Sequence, residues 1–443
     1  MKRIILIASV FWAVAIAAWC QSAPSTGDFD VSHYDLRLAL DIGDKSIKGT
    51  ESIKFVSRTT SLTQLDLDAV ELTIDSVKEK GVAQKYISRD RQVIIALSPP
   101  AKNGETREIE IEYHATPTRG IRFFPDRRQV YTVFSTSRWM VCLDDPDKRA
   151  TLGLTLIVPS GLSSIANGQM VGQRGAENGR ISYEWRQSVS VPTYTFGFAV
   201  GKFRTVTVRH GKIDLQYASE QYSDDELRNV FRDTGDMIDF YEDRAGVKYP
   251  YPGYTQVLAA GGVEQEMSGF TALRETYGRD VLADEHAIWL GAHELAHQWW
   301  GNMVTNRAWT HFWLNEGMAS FMASAYKEHR FGRSEYLRDI DKYRMNYEKV
   351  RAAGKDRSLV FPDWKSPTAE DRTLVYDKGA YVIHLLREEL GDSAFWSGIR
   401  LYTRKYFGKS VTTPDFQHAM EGASKRDLSG FFDEWVYLRK RSN

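Results

Sequence analysis

Cys20 and Cys142 are the only cysteines in 443 residues. A disulfide framework is therefore excluded as the source of stability, and the fold must rest on its apolar core. Neither charge is in excess: 58 Lys and Arg balance 58 Asp and Glu. Zero formal net charge argues against the basic field that holds nucleic acid or an anionic membrane. There is no internal repeat and no low-complexity tract. The long apolar run at the start, Ile4 to Ala18, falls short of the ~20 residues of a membrane span. What remains is an ordinary globular composition, 42% hydrophobic and 26% charged, long enough for about two or three domains. The 12% of aromatic residues read as core and groove lining.

The N-terminus reads as a targeting segment. Lys2 and Arg3 precede the apolar run, and Ala18-Trp19-Cys20 puts small residues at the two positions a signal peptidase inspects. Residues 1–20 are expected to be a cleaved signal peptide and the mature protein to be exported, either periplasmic or extracellular. Lipid attachment at Cys20 is the competing reading, against which Trp19 counts. Cys142 lies among Trp139, Met140 and Val141, with no adjacent His or Lys, and is expected to be a buried structural thiol.

From about Asp28 to His210 the apolar period is two. Tyr34, Leu36, Leu38, Leu40 and Ile42 alternate with Asp35, Arg37, Ala39 and Asp41, and Ile109, Ile111 and Tyr113 alternate with glutamates. Many such short runs between Gly, Pro, Asn and Asp predict antiparallel sheets with one wet face. After Gly211 the pattern changes. Ser223-Asp-Asp-Glu226 is a capping box, Tyr254 to Ala260 a short strand, and from Asp284 onward the chain reads as helical. Gly332 and Gly391 read as helix ends, and Thr413-Pro414-Asp415 as a helix start. The fold class is α+β: an N-terminal β domain over 28–210, then a mainly helical domain over 211–443.

His293-Glu-Leu-Ala-His297 is the informative stretch. On a helix, residues four apart share a face, so both imidazoles can turn toward one point. Catalytic zinc takes three protein ligands and a water. Glu294, next to the first His, can reach that water without ligating the metal. Eighteen residues separate His297 from Glu316, which stands in Trp313-Leu-Asn-Glu-Gly317 near the start of the next helical run, Met318 to Arg330. Two surface histidines on an amphipathic helix are the bland alternative. The third ligand argues against it; for Glu316 the bland alternative is a charge on a solvated face, against which Trp313, Leu314 and Phe321 around it count.

These residues resemble the aminopeptidase N family of zinc peptidases. The likeness rests on the H-E-x-x-H stretch, the eighteen-residue spacer and Trp313 to Gly317. Val375-Tyr-Asp-Lys-Gly-Ala380, Gly261-Gly-Val-Glu-Gln265 and Phe431-Phe-Asp-Glu-Trp435 add to it. The resemblance implies a saddle-like β domain before a thermolysin-like catalytic domain. It implies one Zn2+ held by His293, His297 and Glu316, with Glu294 as general base and then acid. Tyr376 would support the oxyanion. The Gly261-Gly262 approach would let substrate backbone lie close, and Glu264 would hold the α-ammonium of a peptide with a free N-terminus. The expected activity is therefore aminopeptidase action on peptides.

The chain departs from that pattern in three places. Val263 and Gln265 replace the family's Met and Asn, and Glu266 competes with Glu264 for the amine. Phe134-Ser-Thr-Ser-Arg138 lacks the acid or amide that completes amine recognition in relatives. The sequence stops just after Trp435, where larger relatives add a β-sandwich and a helical domain, so it reads as a short form whose groove is either more open or closed by a partner or a second copy. The alternatives are a thermolysin-like endopeptidase, an inactive peptide-binding module on a peptidase fold, and lipid-epoxide hydrolysis on the same zinc.

Overall fold

The computed structural model describes residues 27–361 and 367–439. The expected signal peptide and Cys20 lie outside them. Alternation builds the first half. In Phe29–Asp41, Tyr34, Leu36, Leu38 and Leu40 are buried, while Asp35, Arg37 and Asp41 are exposed. This strand lies inside an eight-stranded sheet. In spatial order the strands are Gln169–Ala176, Arg180–Pro192, Arg149–Pro159, Phe29–Asp41, Ser46–Ser57, Thr106–Ala115, Thr73–Glu79 and Val82–Ala83.

The sheet is not wholly antiparallel, as the pattern predicted. Phe29–Asp41 and Arg149–Pro159 run parallel. The long stretch of chain between them allows the return in the same direction. Part of that stretch forms a three-stranded sheet of Leu62–Asp68, Gln92–Ala101 and Tyr86–Arg89. Its Leu65, Leu67, Val93 and Ile95 join the same core as Leu36 and Leu38. Cys142 is buried in that core.

A further four-stranded sheet, Arg204–His210, Ile213–Ser219, Gly253–Ala259 and Phe270–Arg274, lies next along the chain. The expected boundary at 210/211 falls in the turn of its hairpin. The last two pairings are parallel; helices α1 (Asp224–Val230) and α2 (Thr234–Ala245) form the crossover for the first of them, and residues 260–269 connect the second. The Ser223–Glu226 capping box opens α1.

Helices then dominate: α3 (Glu275–Ala283), α4 (Trp289–Ala296), α5 (Trp313–Phe331), α6 (Arg333–Ala352), α7 (Ala369–Thr373), α8 (Gly379–Leu390), α9 (Asp392–Tyr406), α10 (Thr413–Ser424) and α11 (Ser429–Phe432). Gly332 and Gly391 end α5 and α8. Thr412, one residue earlier than predicted, caps α10 through Asp415. Helix α5 is buried on every side from Trp313 to Lys327, as a central helix must be. It packs against α4, α6 and α8. A second, smaller core forms where the halves meet, from Tyr131 and Ala199 of the first and Val257, Met267 and Phe270 of the second. No helix among the described residues is long and apolar enough to cross a membrane.

Candidate active site

Helix α4 carries His293 and Glu294, and His297 closes its C-terminal end. Glu316 stands in the first turn of α5. The structure brings the three expected ligands together: the Nε2 atoms of His293 and His297 are 3.1 Å apart, and each is 3.3 Å from Glu316 Oε2. Tetrahedral zinc with bonds of ~2.0–2.1 Å separates its ligand atoms by about 3.3 Å, so the triangle has the size the ion requires. All three side chains are buried.

The protonation pattern fits a cation as well. His297 Nδ1 lies 3.1 Å from the Trp300 carbonyl oxygen and His293 Nδ1 3.4 Å from Ser320 Oγ. With protons on the Nδ1 atoms, both Nε2 lone pairs face each other and a carboxylate, an arrangement that repels unless a positive charge sits between them. Burial lowers His293 to about 4. Burial opposes protonation of His297 too, but the carboxylates of Glu316, Glu266 and Glu294 lift it to about 10. The pocket thus carries a strong negative potential. The donor set, two imidazoles and one carboxylate, is one that zinc accepts in catalytic sites.

Sequence reasoning missed the groups that hold these ligands. Trp289 stacks on the His293 ring at 4.8 Å. Its indole N–H donates to Tyr343 OH at 2.6 Å, and that hydroxyl donates to the Ser320 carbonyl at 3.1 Å. Asn315 beside Glu316 accepts from Asn306 N–H and donates to Tyr194 OH, both at 3.2 Å. An aromatic one helical turn before a metal-binding His was the only signal available for Trp289.

Glu294 is buried, and its Oε2 has no hydrogen-bond partner among the described residues. Burial holds its carboxyl well above the usual range, and Glu266 and Glu264 add to that effect. Tyr376 lies in a π-helical turn, Leu374–Lys378, between α7 and α8. Its ring is 6.0 Å from that of His293 and nearly parallel to it. Burial, with Glu316 and Glu266 nearby, keeps its hydroxyl protonated.

The groove segment differs from the sequence expectation. Gly261 to Glu266 is not a regular strand; one bridge, Gln265 to Ala272, ties it to its neighbour. Gly261 adopts φ +91°, and a Cβ there would stand 2.8 Å from Phe124 Cζ, so glycine is required by both conformation and space. Gly262 is half-buried beside it. Glu264, the expected amine anchor, accepts from Arg274 Nη1 at 2.7 Å through Oε1. Glu266 is the acid buried beside the metal set: burial raises it to about 7, the His297 charge opposes this and Glu316 adds to it. Asn302 Nδ2 donates to the Glu266 carbonyl at 2.9 Å, and Gln265 ties the segment to Phe134 N–H at 2.6 Å and the Tyr194 carbonyl at 2.9 Å.

An N-terminal β-rich region followed by a helical region that gathers two imidazoles and a carboxylate at one buried point defines a thermolysin-like metallopeptidase fold. Comparison with known proteins agrees. Residues 31–195 match the peptidase M1 N-terminal domain and residues 230–435 the peptidase family M1 domain. The chain belongs to peptidase family M1, the family that includes aminopeptidase N. It is 26% identical over 430 residues to probable aminopeptidase 2 of Sulfurisphaera tokodaii, covering 92% of this chain and 53% of that protein. It is 27% identical over 441 residues to aminopeptidase N of Lactococcus lactis, covering 92% and 51%. The chain thus spans about half the length of these relatives. The crystal structure of an M1 zinc metallopeptidase mutant from Deinococcus radiodurans, bound to a Tyr-Ser-Ala substrate, shares the fold. Its TM-score is 0.80 at 23% identity, covering 95% of this chain and 96% of that one.

Proposed function

We propose that the protein is a zinc-dependent aminopeptidase that removes residues one at a time from the free N-termini of peptides. The observation that carries the reading is Glu266, a buried carboxylate beside the His293–His297–Glu316 triangle that no Lys or Arg pairs with among the described residues. Such a carboxylate, beyond its interaction with the metal-binding set, can accept a charge-assisted hydrogen bond from the α-ammonium of a peptide. This revises the anchor expected from sequence by two residues.

His293, His297 and Glu316 would hold zinc, which when bound would supply Lewis acidity and activate water for attack. The chain's own groups do the rest. In its ionised form Glu294 takes the proton from the attacking water and returns it to the leaving amine; its unpaired Oε2 is free to accept it. Tyr376 donates its hydroxyl hydrogen to the carbonyl oxygen as charge develops there. Glu266 binds the α-ammonium, which places the first peptide bond, rather than a later one, over the metal set.

A panel of aminoacyl chromogenic substrates beside N-acetylated copies tests the proposal. Free-amine substrates are expected to turn over and acetylated ones to be poor. Equal cleavage of both, with internal cuts in longer peptides, would establish an endopeptidase instead. We also propose export of the mature chain, on the strength of Lys2, Arg3 and the Ile4–Ala18 run. The intact mass of the mature protein, with or without residues 1–20 and with or without lipid on Cys20, decides it.

A further inference from the structure

Glu316 and Tyr376 reach one pocket because the helices that carry them meet backbone to backbone, at Gly317 and Gly379. A Cβ on Gly317 would stand 2.9 Å from both Cα and C of Gly379 and 3.2 Å from the Val375 carbonyl oxygen; one on Gly379 would stand 3.0 Å from Gly317 Cα. Neither position has room for a methyl group unless the helices separate. Gly379 has helical backbone angles, φ −56° and ψ −52°. Glycine is therefore not there for its conformational freedom, and a helix is an unfavourable place for it. Close approach is what it supplies.

Gly317 directly follows Glu316, and Gly379 directly follows the π-turn that bears Tyr376. The same turn is held a second time through Lys378. That side chain is fully buried, and its ammonium donates to Asp356 Oδ1 at 2.8 Å and to the Arg357 carbonyl at 3.0 Å. Tyr347, whose ring lies 5.1 Å from the ammonium, donates its hydroxyl to the other Asp356 oxygen at 2.8 Å. A buried ammonium stays charged only with such partners, so the turn is pinned to the 356–357 segment as well as to α5. A π-turn within a helical run is itself an unusual geometry that needs support from outside.

We propose that the Gly317–Gly379 contact and the Lys378–Asp356 pair form a clamp that sets the position of the Tyr376 hydroxyl relative to the metal-binding set. Gly379 and Lys378 are then positioning residues that act through Tyr376. The inference rests on the proposed role of Tyr376 in supporting the carbonyl oxygen.

The test is a double-mutant cycle in the zinc-loaded enzyme. Gly379→Ala is expected to lower kcat by about 10- to 100-fold, the loss that goes with misplacing a reacting group by a fraction of an ångström to an ångström. KM and zinc content should change little. In a Tyr376→Phe background the same substitution should lower kcat no further, since the hydroxyl it displaces is already gone. Asp356→Asn, which leaves the glycine contact intact and loosens the Lys378 hold, should show the same non-additivity; it carries the test if Gly379→Ala does not fold. Equal fold-losses in both backgrounds, or a Gly379→Ala enzyme that loses zinc instead of kcat, would overturn the clamp while leaving the role of Tyr376 standing. A Tyr376→Phe enzyme with normal kcat would overturn that role and the clamp with it.

Discussion

Arg274 Nη1 lies 2.7 Å from Glu264 Oε1, an ion pair on one oxygen of the carboxylate that the sequence pointed to as the amine anchor. Glu266, two residues on, is left as the buried acid beside the metal set. Glu266→Ala is therefore expected to reduce the preference for free over acetylated N-termini, and Glu264→Ala to leave it nearly intact. A charge-assisted hydrogen bond contributes ~1.5–3 kcal/mol, so the loss in kcat/KM toward free-amine substrates should be about 10- to 100-fold. Paired free and acetylated aminoacyl nitroanilides measure it. The opposite ranking of the two variants would return the anchor to Glu264.

The three-atom triangle predicts one zinc per chain. Glu316→Gln replaces an anionic ligand by a neutral amide, a poorer donor. It should lose metal on dialysis that the parent protein retains. Metal analysis of both proteins is the check, and full occupancy in a His297→Ala, Glu316→Gln double variant would refute the ligand assignment. Because the metal binds only the folded chain, chelation should also lower Tm.

Glu294→Gln should keep zinc and fold while losing most turnover. The amide preserves shape but cannot take a proton from water, and general-base catalysis contributes ~10²–10⁴-fold. Steady-state kinetics beside a metal assay separates this outcome from metal loss. Near-normal kcat would mean that another group moves the proton.

Tyr376→Phe should lower kcat by ~10²–10³-fold, the usual cost of removing one oxyanion donor, with little change in KM. Its hydroxyl acts where charge develops and not where substrate docks. A change confined to KM would place Tyr376 in substrate binding instead.

Stability should depend on pH through a group away from the metal. Asp144 accepts from Ser137 N–H and Oγ–H at 3.1 and 2.7 Å. Burial nonetheless pushes its carboxyl up to about 7; the Ser137 bonds oppose this and Asp68 adds to it. An unfolded Asp titrates near ~3.9, so between about pH 4 and 7 the folded state holds a proton that the unfolded chain has lost. Stability contributed by that proton is lost as pH rises through this window and levels off above it. Thermal melts of the zinc-saturated protein between pH 5 and 8 should show Tm falling, and Asp144→Asn should flatten the slope. An unchanged slope in the variant would place its source elsewhere.

The sequence alone carried the local part of the site. Two imidazoles four residues apart on a helix share a face whatever surrounds them, so His293, Glu294 and His297 were legible without a fold. Glu316 and Tyr376 were legible through their motifs, because no local rule connects them to α4. The alternation of Tyr34 to Leu40 likewise determined a buried and an exposed strand face. Strand direction was another matter: the parallel pairing of Phe29–Asp41 with Arg149–Pro159 depends on where a long intervening stretch sends the chain.

The different surroundings of Glu264 and Glu266 came only with the tertiary structure. In an extended segment, residues two apart point to the same side, so periodicity treats the two acids alike. What separates them is the neighbour each one meets. Arg274, at the end of the strand Phe270–Arg274, reaches Glu264, while Glu266 is enclosed beside His297 and Glu316. The supports of Trp289, Ser320 and Tyr343 around His293, and the meeting of Gly317 with Gly379, were hidden for the same reason. Each joins residues far apart along the chain, and such contacts exist only once the helices have packed.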